Sequence, residues 1–140
     1  MLIDHIGIVV RSLEQGVRQW EELFGYTRNS DIVINTRQSV RVVFLSKKDS
    51  VTVKLLEPLG PDSPVSQFAR KGGGFHHVCF RCDNLETQIP VLNDKGARLL
   101  VPAQPGEAFR NNNIAFLYAQ NNLNFELIDT TEKTGWAESV

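Results

Sequence analysis

The sequence predicts an α+β fold of two tandem βαβββ modules, and three observations predict it. The first is a self-match. Displacing the chain by 72 residues lays Asp4-His5-Ile6-Gly7-Ile8-Val9-Val10 on His76-His77-Val78-Cys79-Phe80-Arg81-Cys82, and Leu13-Glu14 on Leu85-Glu86. The same displacement lays Val42-Val43-Phe44-Leu45 on Ile114-Ala115-Phe116-Leu117, and Val53-Lys54-Leu55-Leu56 on Phe125-Glu126-Leu127-Ile128. Four matches in one order at one offset identify an internal duplication. The second observation is that apolar spacing within each copy passes from period two to helical spacing and back. The third is size: 140 residues, 41% of them hydrophobic, suit one domain over 1–140 with one real core.

The elements follow in order. Ile6, Ile8 and Val10 alternate with His5, Gly7 and Val9, the pattern of a half-buried strand. Ser12-Leu13-Glu14-Gln15 has the form of a capping box; Leu13, Val17, Trp20, Leu23 and Phe24 follow at helical spacing, and Gly25 ends the helix. Strands near 32–35, 40–46 and 51–57 complete the first module, about 3–59. Ser63 and Pro64 read as N-cap and N1 of a connecting helix over about 64–71, carrying Val65 and Phe68. Gly72-Gly73-Gly74 then reads as a linker, because it precedes a strand and lacks the Lys-Ser/Thr of a phosphate loop. The second module, about 75–129, repeats the scheme. Asp83 to Glu86 is box-like, Leu85, Ile89 and Leu92 form the stripe, and Gly96 stops the helix. Pro90 is expected to kink this helix or delay its start. Strands near 98–101, 113–118 and 124–129 follow, and the polar tail from Thr130 to Val140 has Trp136 as a candidate anchor.

Fifteen basic and sixteen acidic residues leave a net charge of −1, and no block of like charge marks a nucleic-acid or membrane surface. No apolar run approaches the roughly 20 residues of a membrane span. The opening Met1-Leu2-Ile3-Asp4-His5 lacks the pattern of a secretion signal, so a cytoplasmic protein is expected. Cys79 and Cys82 stand three apart on a strand and face opposite ways, so neither a disulfide nor a shared metal is expected.

Strand alternation places the chemistry. Ile6, Ile8 and Val10 must cover a helix, so His5 faces the other way; so do His77 opposite Val78 and Phe80, Glu126 opposite Phe125 and Leu127, and Lys54 opposite Val53 and Leu55. The duplication makes His5 equivalent to His77 and Lys54 equivalent to Glu126, so all four converge on a pseudo-two-fold axis. Two imidazoles and a carboxylate, His5, His77 and Glu126, suit a divalent Co, Ni, Zn, Mn or Fe ion. The competing arrangement is an ion pair between Lys54 and Glu126, which satisfies both charges without a metal. His76 lacks a symmetric partner of its own type and is left out of the site. Cys79 reads as a packing residue.

The paired units, the D-H-I-G-I-V-V opening and the H-H-V-C-F strand resemble the vicinal oxygen chelate superfamily, which includes glyoxalase I, extradiol dioxygenases, methylmalonyl-CoA epimerase, and fosfomycin and bleomycin resistance proteins. Leu55-Leu56-Glu57-Pro58-Leu59, then Ser63-Pro64-Val65 with Phe68, and Gly73-Gly74-Phe75-His76-His77 are similar to the running order of the epimerase-like branch. The likeness covers about residues 3–129. It implies a glyoxalase-like, curved, mostly antiparallel sheet around a cleft, a small-molecule substrate and a homodimer. Carried over by position, the family's metal ligands fall on His5, Lys54, His77 and Glu126. Lys54 departs from the pattern, since the family has Gln, Glu or His there and an ammonium does not coordinate a cation. The family's catalytic glutamate falls on Val42 in Gln38-Ser39-Val40-Arg41-Val42. Valine cannot take a proton, which counts against authentic methylmalonyl-CoA epimerase activity.

Three functions fit these residues. One is a metal-dependent isomerase or lyase that stabilises the enolate of a small acyl or hydroxy-keto substrate, with Glu126 and Lys54 as catalytic groups; Lys54 then neutralises charge or shuttles a proton. Another is a non-haem Fe(II) dioxygenase built on the same triad. The last is a metal-free small-molecule binding or drug-sequestering protein. In each, Arg81, Phe44 and Phe116, which share the cleft face, are the candidate substrate contacts.

Overall fold

The computed structural model describes residues 1–136. Its elements are β1 (Leu2–Val9), α1 (Leu13–Phe24), β2 (Thr27–Arg28), β3 (Val33–Asn35), β4 (Val40–Ser46), β5 (Thr52–Pro58), α2 (Ser66–Arg70), β6 (Gly74–Arg81), α3 (Leu85–Asp94), β7 (Arg98–Pro105), a single 3-10 turn (Glu107–Phe109), β8 (Asn113–Ala119) and β9 (Leu123–Ile128). Among the described residues, nine strands join one open sheet in the order β2-β4-β5-β1-β6-β9-β8-β7, with β3 also on β4. β1 and β6, which occupy the same positions of the repeat, lie antiparallel at its centre. Each is flanked by the last strand of its own module, β5 and β9, in the sheet's two parallel pairings. The two modules therefore pair within one chain, and the α+β, mostly antiparallel architecture expected from the duplication is the one found.

Local chemistry explains the helices. The Ser12 hydroxyl accepts from the Gln15 N–H, and Gly25, at φ 72°, closes α1 in the left-handed conformation that glycine adopts most readily. In α3 the N-cap is Asn84, whose side chain accepts from the Thr87 N–H, so the helix starts one residue inside the expected box. Pro90 neither delays nor ends α3. The carbonyl it orphans belongs to Glu86, which is exposed, so water can satisfy it. The connecting helix is shorter than expected. It starts at Ser66 with Val65 at its cap, and Ser63 instead accepts from the Val65 N–H in the turn before it.

The faces separate as strand alternation requires. On the outer face, Leu13 of α1 packs on Val43, Leu45, Val53 and Leu55, and Leu85 of α3 packs on Ala115, Leu117 and Leu127. The inner face carries Val42, Phe44, Leu56, Cys79, Ile114 and Ile128, capped by Phe109 from the 3-10 turn. Cys79 and Cys82 are free and lie in the inner and outer cores respectively. Trp136 does anchor the tail: it bridges to Ser30, and its ring lies 5.9 Å from that of Phe44. Residues 137–140 of the expected span lie outside the described residues. Among the described residues no helix is long and apolar enough to cross a membrane.

Candidate metal centre

Four neighbouring strands, β5, β1, β6 and β9, bring Lys54, His5, His77 and Glu126 to one point on the inner face. All four side chains are fully buried. His5 Nε2 lies 3.0 Å and His77 Nε2 lies 3.5 Å from Glu126 Oε1, and Lys54 Nζ lies 3.8 Å from Glu126 Oε2. These contacts lack the alignment of hydrogen bonds: both Nε2 atoms, both carboxylate oxygens and Nζ are buried without a hydrogen-bond partner among the described residues. Buried donors and acceptors left unpaired are costly. A divalent ion would take up the lone pairs of the two imidazoles and the carboxylate together, and His5, His77 and Glu126 form a group of suitable atoms within 4.8 Å of one another. The three donors fit such an ion; Lys54 is the group that opposes it. Its nearest aromatic neighbour is the Phe109 ring, 5.1 Å away.

The other nitrogen of each imidazole is held. His5 Nδ1 lies 2.7 Å from Asp4 Oδ2, and as a carboxylate only accepts, His5 carries its proton on Nδ1 and leaves the Nε2 lone pair for the centre. Asp4 in turn accepts from Arg81 at 3.3 Å and from Lys133 at 3.1 Å. His77 Nδ1 lies 2.8 Å from Nδ1 of His76. Both supports come from irregularities in the β1–β6 ladder, where the register jumps from Ile3 to His5 and from His77 to Phe75, so Asp4 and His76 have no cross-strand partner. Such bulges re-aim side chains. Asp4 and His76 occupy the same position of the repeat, so the duplication extends to the supports of the ligands. Residue type hid this: the partner of His76 is an aspartate.

Gly7 makes the room. It lies opposite both Lys54 and His77, and a Cβ there would sit 2.1 Å from Cε1 of the His77 ring.

Charge is tuned by burial. Desolvation pushes the Glu126 carboxyl up, but its charged surroundings, the Lys54 ammonium foremost, outweigh it and hold the group well below the usual carboxylate range. Burial pulls His77 down to about 4, against the opposing pull of Glu126. Between an unfolded value of about 6.5 and about 4, the unfolded chain binds a proton that folded His77 refuses, so stability falls as the pH drops through that window. Glu126, depressed in the fold, adds loss in the same direction below its ordinary range. The metal-free protein is therefore expected to lose on the order of 3 kcal/mol between about pH 7 and about pH 4. Urea unfolding at a series of pH values measures it, and a flat profile would contradict the assignment.

A cavity of about 480 Å³ opens beside His76 and Phe116; His5, Lys54, His77 and Glu126 are fully buried and do not themselves line it. Val40, Leu56, Val65 and Phe116 form its apolar wall, His76 faces it, and Arg37 stands among its polar lining. Of the three candidate substrate contacts, Phe116 borders this cavity, its ring 5.6 Å from that of His77. Phe44 is fully buried, wedged against His5, Phe109 and Trp136, and Arg81 is drawn to the buried Asp4 carboxylate; neither lines the cavity. Val42 is fully buried in the inner core.

Comparison with known proteins agrees with this architecture. Residues 4–118 match the family model described as the glyoxalase/bleomycin resistance protein/dioxygenase superfamily. An uncharacterized protein of Bacillus subtilis, YqjC, is 33% identical over 95% of this chain and 93% of its own length. Human mitochondrial methylmalonyl-CoA epimerase is 33% identical over 70% of this chain, a match spanning 56% of the human protein. The solved structure of a Streptomyces coelicolor methylmalonyl-CoA epimerase variant in complex with 2-nitronate-propionyl-CoA superposes with a TM-score of 0.80 at 28% identity, covering 93% of this chain and 97% of that one.

Proposed function

The chain belongs to the glyoxalase/bleomycin resistance protein/dioxygenase superfamily, and we propose that within it this protein is a metal-dependent isomerase or lyase that stabilises the enolate of a small acyl substrate. The observation that carries the reading is the set of buried, unpartnered atoms at His5, His77 and Glu126, with the far nitrogen of each imidazole already engaged. These residues would hold a divalent Co, Ni, Zn, Mn or Fe ion, which when bound supplies Lewis-acid stabilisation of charge on a substrate oxygen.

The chain's own residues supply the rest. The apolar wall of the cavity takes the acyl portion and excludes water, which strengthens every electrostatic contact beside it. Lys54 brings its ammonium to within 3.8 Å of Glu126, where it offsets the carboxylate and the charge that develops on an enolate. Val42 offers no basic atom on its side of the inner face, so proton transfer must use other groups, Lys54 among them. Two relatives named as methylmalonyl-CoA epimerases make acyl thioesters the first class to test.

Calorimetry with Zn(II), Co(II), Ni(II) and Mn(II) on chelator-treated protein is expected to find one site per chain. With the ion restored, propionyl-CoA or methylmalonyl-CoA in D2O is expected to gain deuterium at the α-carbon. Tight metal binding without exchange into any acyl substrate would overturn the enolate reading. Iron together with oxygen uptake on a catechol would replace it by the dioxygenase. A second reading is favoured by the proximity of Lys54 to Glu126: a metal-free binding protein in which the ammonium is the resident cation. Ligand binding in the cavity that is indifferent to chelator and to added metal would establish it.

A further inference from the structure

We infer that His76 contacts the substrate as a hydrogen-bond donor through Nε2–H, in a tautomer imposed on it by His77. The inference rests on the cation-holding reading of His5, His77 and Glu126, and it concerns a residue that the repeat pattern alone assigns to the wrong face.

Strict alternation along β6 would send His76 to the outer face, away from His77. The register break between His77 and Phe75 removes His76 from the ladder and turns it to the side of its neighbour. Its ring then does two things: Nδ1 meets Nδ1 of His77 at 2.8 Å, and the ring lines the 480 Å³ cavity. A contact that short between two ring nitrogens requires one proton between them, since two protons would collide and two lone pairs would repel. Which ring owns that proton depends on the far side of His77. If His77 gives its Nε2 lone pair to an ion, its own proton must sit on Nδ1 and be donated to His76. His76 Nδ1 is then an acceptor, so its single proton lies on Nε2, the nitrogen left for a ligand. A neutral imidazole presented this way is a hydrogen-bond donor to a carbonyl oxygen that acquires charge.

The other half of the molecule shows what the same position does without this second role. Asp4, the repeat counterpart of His76, also accepts from Nδ1 of the following histidine, but its remaining oxygen is occupied by Arg81 and Lys133. Asp4 is a support alone; His76 is a support whose ring also lines a cavity. The difference between the two halves gives the test. His76→Asp copies the Asp4 arrangement: it keeps an acceptor for His77 Nδ1–H and removes the donor from the cavity. His76→Asn keeps an acceptor and restores a neutral donor.

Long-range 1H–15N spectra of histidine-labelled protein loaded with Zn(II) are expected to show His76 protonated at Nε2 and unprotonated at Nδ1. In calorimetry, H76D is expected to bind Zn(II) within about threefold of the parent, which also shows that it folds, since the acceptor that orients His77 is kept. Its deuterium exchange into propionyl-CoA is expected to fall about a hundredfold, the usual cost of removing an oxyanion donor, and H76N to recover about tenfold of that. A proton on Nδ1 of His76 in the Zn(II)-loaded protein would overturn the inference, whether or not the probe turns over. So would full exchange by H76D with Zn(II) bound, which would reduce His76 to a support. Failure of the parent protein itself to bind any divalent ion is a different result, since it removes the cation-holding reading and the inference together.

Discussion

Replacing Lys54 with Gln is expected to raise the affinity for Zn(II) by about a hundredfold or more. An ammonium whose Nζ stands 3.8 Å from a carboxylate oxygen is close to any ion which that carboxylate holds. At an effective dielectric of about 20, two unit charges about 4 Å apart interact by about 4 kcal/mol, and a dication doubles the repulsion. Allowing more than half of that to relax still leaves about 3 kcal/mol, or about a hundredfold. Gln also adds a neutral oxygen that can ligate. Lys54→Met separates the effects, because it removes the charge without adding a donor and is expected to give the smaller gain. Without metal the order of stability reverses. Either substitution leaves Glu126 buried without its counter-charge, a loss on the order of 3–5 kcal/mol. Zn(II) should therefore raise the melting temperature of the variants far more than that of the parent. Calorimetry and thermal unfolding read both quantities, and an unchanged affinity in both variants would show that the Lys54 charge is not what opposes the ion.

Replacing Gly7 with Ala is expected to damage both the fold and the metal centre. The added Cβ would lie 2.1, 2.4 and 2.6 Å from Cε1, Nδ1 and Nε2 of His77. The fully buried ring has nowhere to go, because His76 holds its Nδ1 and Phe116 packs against it in a T-shaped contact. Relief requires either separating β1 from β6 at the centre of the sheet or expelling the ring from the site. Overpacking of this kind costs about 1–3 kcal/mol or more, and displacement of a ligand is expected to lower Zn(II) affinity by at least about a hundredfold. Gly60→Ala is the control, since a Cβ there meets nothing within 4 Å. Urea unfolding and calorimetry on the two variants are expected to separate them cleanly, and wild-type metal affinity in the Gly7 variant would mean that the His77 ring is not where the chemistry is.

Much of this architecture was legible because the duplication is regular. The offset that lays His5 on His77 also lays Lys54 on Glu126, and period-two alternation then fixes which face each takes; β1 and β6 coincide residue for residue under it. What was hidden arises where regularity breaks. Asp4 and His76 were unreadable as supports because each lies at a register break, and no local pattern announces one. Phe109 enters from a single 3-10 turn between β7 and β8 with no helical periodicity to mark it. Lys133 reaches Asp4 across 129 positions of sequence, a contact that only the folded tail creates. Alternation sends Phe44 to the inner face, where it lies, but position along the strand decides the partners: Phe44 packs on Trp136, and Arg81 lies at the Asp4 end. Alternation gives a face and says nothing of what covers it.

Anomalous scattering at the zinc edge from crystals of chelator-treated protein soaked in Zn(II) tests the central assignment most directly. The expected map has one strong peak per chain at about 2.0–2.2 Å from Nε2 of His5, Nε2 of His77 and the Glu126 carboxylate, with Lys54 turned aside. A map with no peak among those three residues, and Lys54 hydrogen-bonded to Glu126 in its place, would contradict it.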